Sequence, residues 1–232
     1  MNKQIEQILN ELNPKQKTEI KAYLSENDHD IKAIFEFLHI FNELLIQVNR
    51  SDNLVQMSSI IQDKLSSLMD TSNFIIAILN EKKTHIRFPY FKDEEDNLSE
   101  LTDESLTIPI DKKGSLTAKV IRSGKPLILN REQIIEFSNA ESGQKIGTTP
   151  QFWYGFPLKV DKDTIGAIII QNYQKGGMKL SSQDIQLLEY LITQLAPVFE
   201  RKITEDRLTQ VENQFSSFIE NTQDLIYQTD LE

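Results

Sequence analysis

The hydrophobic residues of the chain change their spacing twice, and this change constrains the fold more than any other feature of the sequence. Up to about residue 70 they recur every three or four residues, as on one face of a helix. From about residue 74 to 173 they alternate or form short continuous runs, and from residue 181 to about 220 the helical spacing returns. The sequence therefore predicts an α+β fold in which helices flank a sheet.

The middle of the chain contains six predicted strands with few helical connections between them, which favours a mostly antiparallel sheet. The strands are predicted at 74–79, 84–90, 105–110, 127–129, 153–160 and 164–173. Short helices are predicted at 114–122 and 131–137. Gly124 suits the left-handed position that ends the first of them.

Four helices are predicted before the sheet. Two short ones, 3–12 and 14–25, are split by Asn13-Pro14, and a fourth, 52–70, begins at the cap Ser51-Asp52 and packs one face on the sheet. The third, 29–49, carries a narrow apolar seam that lies either on the core of its own domain or against a second copy of the chain. The seam residues are Ile31, Ile34, Leu38, Phe41, Leu45 and Val48.

A single helical pattern runs from Ser181 to about Glu220. A polar gap at 200–207 separates its two apolar halves, and a helix of this length cannot fold back onto one small domain. We expect it to project outward beside the same helix of a parallel homodimer, with a bistable region in the polar gap. Its seam residues are Leu208, Val211, Phe215 and Phe218.

Composition excludes several classes of function. The net charge of −10 repels phosphate backbones, so nucleic-acid binding is not expected. The absence of cysteine removes disulfides, thiolate metal sites and cysteine nucleophiles. Residues 1–12 lack the apolar core expected of a signal peptide, and the longest apolar stretch, 165–170, is too short for a membrane helix. We expect a cytoplasmic protein without membrane contact in this segment.

The sequence carries no recognisable catalytic or metal-binding pattern. His29, His39 and His85 lack the spacing of a metal site. The acidic cluster between Asp93 and Glu104 lacks the ligand spacing and the turn glycine of a calcium loop, so we expect a solvated loop. We predict no catalytic residue and no metal, and the sequence does not indicate which cofactor, if any, the chain binds.

Apolar and aromatic residues at strand ends suggest a small-ligand pocket beside long polar loops. The alternative is a well-filled core with no pocket. Ser115 and Thr117 lie at the start of the helix at 114–122, whose free backbone N–H groups can bind an anionic group. The candidate ligand-binding residues are Phe88, Tyr90, Phe91, Ile108, Ser115, Thr117, Trp153, Tyr154 and Phe156.

Residues 42–202 resemble a GAF domain of the bacterial signalling type, as found in sensor histidine kinases and diguanylate cyclases. The resemblance rests on a series of motifs in the expected order. These are Asn73-Phe74-Ile75, Phe88-Pro89-Tyr90, Arg122-Ser123-Gly124-Lys125-Pro126, Trp153-Tyr154-Gly155-Phe156-Pro157, Ile165-Gly166-Ala167 and Asp184-Ile185-Gln186-Leu187-Leu188. It implies a GAF fold but specifies no ligand, since GAF domains hold many ligands or none.

The segment 218–231 is similar to the start of a PAS domain and is too short to form one. The predicted organisation is an N-terminal helical segment at 1–28, an incoming helix at 29–50, a GAF domain at 51–202, a coiled-coil linker at 203–217 and the start of a PAS domain at 218–232. We expect the chain to be part of a longer sensor protein.

Departures from the family's patterns narrow the ligand. Without cysteine, the covalent bilin of phytochromes and the chemistry of GAF-type free methionine sulfoxide reductases are excluded. Residues 180–187 lack the Phe and Glu of the cyclic-nucleotide pattern, which disfavours that ligand. The remaining hypotheses are a non-enzymatic sensory and dimerisation module with a noncovalent small ligand, a ligand-free dimerisation linker, and a noncovalent haem held by His85.

Overall fold

A six-stranded sheet forms the centre of the computed structural model, which describes residues 41–66, 69–95, 107–141, 147–174 and 179–221. The strand order is β3-β2-β1-β6-β5-β4, and every neighbouring pair is antiparallel, which confirms the predicted α+β fold. The strands are β1 (Asn73–Leu79), β2 (His85–Lys92), β3 (Thr107–Pro109), β4 (Leu127–Asn130), β5 (Phe152–Val160) and β6 (Asp163–Asn172).

Five helices are described: two precede the strands in the chain, two lie on either side of β4, and one follows the last strand. They are α1 (residues 41–49), α2 (Leu54–Leu65), α3 (Leu116–Ser123), α4 (Arg131–Ala140) and α5 (Ser182–Asn221). The chain divides into two compact units, Met1–Leu44 and Leu45–Glu232, and the sheet lies in the second. Within the described residues, no helix combines the length and the apolar character needed to cross a membrane.

Helices cover both faces of the sheet, because side chains alternate between the two faces along each strand. On one face, buried residues of α3 and α4 such as Val120 and Ile134 join a core cluster with Ile75 and Trp153. We call it the α3–α4 face. On the other, the hydroxyl of Tyr90 donates a hydrogen bond of 2.5 Å to Gln62 Oε1 of α2, and α5 packs against β5. We call it the α2–α5 face.

A bulge in β2 changes which of its residues reach the α3–α4 face. Ile76 pairs with Tyr90 and Ile78 pairs with Arg87, so three steps along β2 match two steps along β1. The extra residue lies at Phe88-Pro89, where proline has no N–H for the ladder. As a result Phe88 and Phe91, although three positions apart, both pack against the same core cluster.

The helix boundaries differ from the prediction at α2. Ser51 Oγ donates a 2.7 Å hydrogen bond to the carbonyl of Val48, so this residue closes α1. The cap of α2 is Asn53, whose side chain accepts a hydrogen bond from Gln56 N at 2.9 Å. The helix ends at Leu65, and residues 69 and 70 are not helical, so the predicted extension to residue 70 is wrong. The predicted left-handed Gly124, with φ of 57°, is confirmed.

The final helix has the predicted length. α5 contains 40 residues, and the polar gap at 200–207 does not interrupt it. Ser181 and Asp184 exchange hydrogen bonds at its start, at 2.8 and 3.1 Å, which closes the first turn. The expected helices at 3–12 and 14–25, the seam residues Ile31, Ile34 and Leu38, and the PAS-like residues 222–231 lie outside the described residues.

The cap of α2 can be tested by substitution. We expect Asn53→Ala to lower the free energy of unfolding by about 1 kcal/mol, because it removes the acceptor for the Gln56 amide. The control Asp52→Ala, at one of the two residues of the predicted cap Ser51-Asp52, should change it by less than about 0.5 kcal/mol. Urea unfolding measures both, and a larger loss for Asp52→Ala would contradict the assigned cap.

Candidate functional site

The sole tryptophan lies at the centre of the α3–α4 face. Trp153 of β5 is 5% exposed and packs in a core cluster with residues of β1, β6, α3 and α4. Its backbone pairs with Gln171 of β6 on one side and with Leu129 of β4 on the other. This position puts the indole between the sheet and the two short helices.

The indole lies on a glycine two residues further along the same strand. A Cβ atom placed on Gly155 would collide with Cζ3 and Cη2 of the Trp153 ring and would come within 2.9 Å of Val120 Cγ2. Only a glycine leaves room for the ring here, since the two residues share one face of the strand. Gly155 therefore determines where the indole can lie.

Half-buried apolar side chains surround this core cluster. Phe88 and Phe91 of β2 and Ile108 of β3, all predicted ligand-binding residues, pack against it while remaining partly exposed. Leu116, Leu127 and Leu129 do the same from α3 and β4. We call these six residues the apolar rim. The structure thus brings together four of the nine predicted residues, namely Phe88, Phe91, Ile108 and Trp153.

Three other predicted residues lie on the opposite, α2–α5 face. Tyr154 and Phe156 follow Trp153 by one and three positions, and an odd separation along a strand changes the face. The hydroxyl of Tyr154 accepts a 3.2 Å hydrogen bond from Leu180 N, just before α5. The ring of Tyr90 lies edge-on to Phe74, with 6.2 Å between centroids. These residues pack the second core and do not join the Trp153 site.

The buried phenol of Tyr154 and the half-buried phenol of Tyr90 are held in their neutral form. Burial raises the pKa of Tyr154, and the hydrogen bond from the Leu180 backbone lowers it by less. Burial also raises the pKa of Tyr90, where a hydrogen bond with Ser59 opposes the shift and the Asp63 carboxylate adds to it. At neutral pH both hydroxyls keep their proton and act as hydrogen-bonding groups.

The start of α3 is partly satisfied from within the chain. Ser115 is the N-cap, and its Oγ accepts a 3.2 Å hydrogen bond from Ala118 N. Thr117 lies in the first turn and is half-buried. The side chain of Ser115 thus occupies one of the amides that the sequence analysis offered to an anionic ligand.

A polar cluster at one end of the sheet was not predicted from the sequence. Asp93 Oδ2 accepts hydrogen bonds from Gln171 Nε2 at 3.1 Å and from the Tyr173 hydroxyl at 3.0 Å. Asn73 Oδ1 accepts from Glu94 N at 2.7 Å. The expectation of a solvated loop is therefore wrong for Asp93, which ties the end of β2 to β6. Residues 96–106 of that acidic stretch lie outside the description.

The cluster borders the Trp153 site, because Gln171 pairs with both Trp153 and Asn73. No local signal pointed to it, since its contacts with Gln171 and Tyr173 join residues about 80 to 100 positions apart. It places carboxylate, amide and phenol groups beside an apolar core, a combination typical of small-molecule sites.

A separate cleft of about 220 Å³ lies on the α2–α5 face, lined by Tyr154, Asp70 and Asn172 among others. Asn172 Nδ2 donates a 3.2 Å hydrogen bond to Asp70 Oδ2. His85, the predicted haem ligand, is exposed on β2 and lies 3.1 Å from Thr84 Oγ1 through Nδ1. Neither belongs to the core cluster around Trp153.

The predicted seams differ in exposure. In the first, Val48 is fully buried and Leu45 is half-buried. In the second seam, on α5, all four seam side chains are mostly exposed. They are Leu208 (60%), Val211 (53%), Phe215 (62%) and Phe218 (62%).

Comparisons with known proteins identify the fold. Residues 51–200 match the family model described as GAF domain. The GAF domain of a phosphoenolpyruvate-protein phosphotransferase from Acinetobacter is similar, with 17% identity, a TM-score of 0.55, and coverage of 74% of this chain and 98% of that one. A segment of a methyl-accepting chemotaxis protein is also similar, with 11% identity, a TM-score of 0.56, and coverage of 72% of this chain and 99% of that one.

The fRMsr protein of Staphylococcus aureus, in complex with its substrate, is a third similar structure. It has 12% identity, a TM-score of 0.50, and coverage of 70% of this chain and 95% of that one. No curated protein matches the chain. At these identities the structural matches bear on the fold alone.

Because the Trp153 ring packs on Gly155, we expect substitutions at these two positions to have coupled effects on stability. Gly155→Ala should lower the free energy of unfolding by about 1–3 kcal/mol, because the new methyl group displaces the Trp153 ring. In a Trp153→Leu background the same substitution should cost less than half as much, since the ring is gone. Chemical unfolding of the four proteins gives the coupling, and equal costs in both backgrounds would contradict this packing.

Proposed function

The chain belongs to the GAF domain family, and from this premise we propose that it is a sensory regulatory module of a cytoplasmic signalling protein. It binds a small molecule noncovalently on the α3–α4 face and passes the change through α5 to an output domain. The output domain is of the sensor histidine kinase or diguanylate cyclase type and follows a PAS domain that begins near residue 218. GAF domains are commonly sensory modules of this kind.

The observation that carries the proposal is the contrast between the two faces of the sheet. On the α2–α5 face the large side chains Phe74, Phe156 and Leu158 are fully buried. On the α3–α4 face the apolar rim stays half-buried around Trp153. A rim of this kind gives an apolar ligand surface to cover, and the neighbouring polar cluster at Asp93 and Gln171 can orient it.

Strand β5 provides the route from this site to α5. Trp153 faces the proposed ligand and Tyr154, the next residue, faces α5. The Tyr154 hydroxyl holds Leu180 N, two residues before α5 begins at Ser182. A ligand that displaces the indole moves β5, and this strand carries the movement to the start of the long helix.

We place no catalytic step in this module. The fRMsr protein shares the fold, but the chain has no cysteine with which to perform thiol chemistry. The role proposed for the residues of the Trp153 site is therefore binding and not bond-making.

A ligand-free structural linker is the second candidate function, and one observation favours it. The indole of Trp153 already fills the space above Gly155 and is 5% exposed. If no ligand displaces the ring, the domain serves to space and dimerise its neighbours. Both candidates use the same second seam on α5, so dimerisation does not separate them, whereas ligand binding does.

Binding can be read from the sole tryptophan. We expect native mass spectrometry or a melting-shift panel of metabolites to identify a ligand that also changes Trp153 emission. Phe91→Ala, on the apolar rim, should weaken its binding about tenfold, since it removes a large apolar contact. The matched control Met69→Ala, which lines the cleft on the other face, should leave the affinity unchanged. Equal effects of both variants, or no ligand in the panel, would favour the linker.

Dimerisation rests on the exposed seam of α5. Leu208, Val211, Phe215 and Phe218 follow a 3-4-3 spacing, which places them on one stripe of the helix. Two such stripes in parallel would bury these side chains in one interface. We propose a parallel homodimer on this basis.

The seam predicts a site-specific loss of association. Phe215→Asp should weaken the dimer roughly tenfold or more, because it places two carboxylates in an apolar interface. Ser216→Asp adds the same charge one position off the stripe and should leave the association nearly unchanged. Sedimentation velocity over a concentration series measures both. A wild-type monomer at high micromolar concentration, or equal effects of the two variants, would count against the dimer.

A further inference from the structure

The polar gap of α5 is bound to other parts of the domain. The sequence predicts a bistable region at 200–207, yet four charged side chains in this stretch contact residues outside α5. These are Arg201, Lys202, Asp206 and Arg207, and their partners are Asn49, Ser51, Leu54 and Glu81 respectively. The partners lie at the end of α1, at the start of α2 and in the turn between β1 and β2.

Lys202 is the buried member of this group. It is 5% exposed, and its Nζ donates hydrogen bonds of 2.8 Å to the carbonyl oxygen of Ser51 and 2.7 Å to Glu205 Oε2. The ammonium lowers the pKa of the Glu205 carboxyl through this hydrogen bond. A buried charge costs much free energy unless its partners stay in place, so Lys202 favours one position of α5 relative to Ser51.

Asp206 lies one helical turn after Lys202, on the same side of α5. Its Oδ2 accepts a 3.0 Å hydrogen bond from Leu54 N, the amide of the first residue of α2. This amide is one of the four at a helix start that have no partner within the helix. A carboxylate is also favoured there by the helix dipole. Asp206 thus gives α2 a partner that belongs to another helix.

The remaining two contacts are exposed and contribute less. Arg201 Nη2 donates to Asn49 Oδ1 at 2.7 Å, and Arg207 Nε lies 2.5 Å from Glu81 Oε1. The side chains of Arg201, Arg207 and Glu81 are half or more exposed, so water and salt weaken their attraction. Position is therefore set mainly by Lys202 and Asp206.

We propose that Lys202 and Asp206 form a latch that fixes the middle of α5 to the junction between α1 and α2. With the latch closed, residues 49–54 and 201–207 move together, so a displacement of the α1–α2 junction passes directly to α5. With the latch open, the part of α5 that carries the exposed seam, from Leu208 to Phe218, can change its direction relative to the sheet. This coupling goes beyond the proposed sensing role, because it requires no ligand at the Trp153 site.

Hydrogen exchange of the full chain tests the latch. We expect Lys202→Glu, which turns the buried cation into an anion facing Ser51 and Glu205, to speed amide exchange in 49–56 and 198–207 about tenfold or more. Strands β1 and β6 should keep their protection. The matched control Arg201→Glu makes the same charge change at an exposed neighbour and should alter these segments by less than about threefold.

Two outcomes would overturn the proposal. Equal effects of Lys202→Glu and Arg201→Glu would mean that the buried position has no special role. Loss of protection in β1 and β6 together with the latch segments would mean that Lys202 supports the whole fold and does not act as a separable latch.

A second pair of variants keeps the test decisive if Lys202→Glu does not fold. Asp206→Ala should speed exchange of the Leu54 amide about tenfold, since it removes that amide's acceptor. Glu212→Ala, which removes an exposed carboxylate further along α5, should not. An unchanged Leu54 amide in Asp206→Ala would contradict the latch.

The direction of α5 can be measured independently. The chain has no cysteine, so spin labels at Lys82→Cys and Gln214→Cys attach only where intended. With labelled chains diluted in unlabelled protein, the distance distribution should broaden in the Asp206→Ala variant and not in Glu212→Ala. An identical distribution in all variants would mean that α5 keeps its direction without the latch.

Discussion

The alternation of side chains along β5 is the constraint on which the rest of the structure depends. A strand sends successive residues to opposite faces, so Trp153 and Tyr154 occupy two different cores. Trp153 packs over Gly155 beneath α3 and α4, and Tyr154 holds the backbone that leads into α5. Since β5 lies between β6 and β4 in the sheet, the two cores share this one strand.

Most of the fold could be predicted from the sequence, because hydrophobic spacing reports on local structure. The six strands, the left-handed Gly124 and the 40-residue helix are determined within short windows. The order of the strands in the sheet was not predicted, because it depends on which strands pair across the whole domain. The start of α2 was missed because Ser51 and Asn53 are both good cap residues, and the choice depends on Ser51 bonding back to Val48.

The candidate site was only partly predictable. Grouping aromatic residues by closeness in sequence mixed the two faces, although the alternation of β5 already separates Trp153 from Tyr154 and Phe156. The bulge in β2, which brings Phe88 and Phe91 to one face, depends on pairing with β1 and has no reliable local signal. The contact of Asp93 with Gln171 joins residues 78 positions apart, and that of Lys202 with Ser51 joins residues 151 apart. Such contacts arise from the tertiary fold.

The measurement that tests the central claim most directly is NMR hydrogen exchange of the Leu180 amide, which reports the contact between β5 and the start of α5. Trp153→Ala removes the side chain that faces the proposed ligand, and Ile134→Ala removes apolar volume from the same core cluster on α4. If β5 connects the two faces, exchange at Leu180 should rise several-fold in Trp153→Ala and stay near the wild-type rate in Ile134→Ala. An unchanged rate in Trp153→Ala, or the same rise in both variants, would contradict the account.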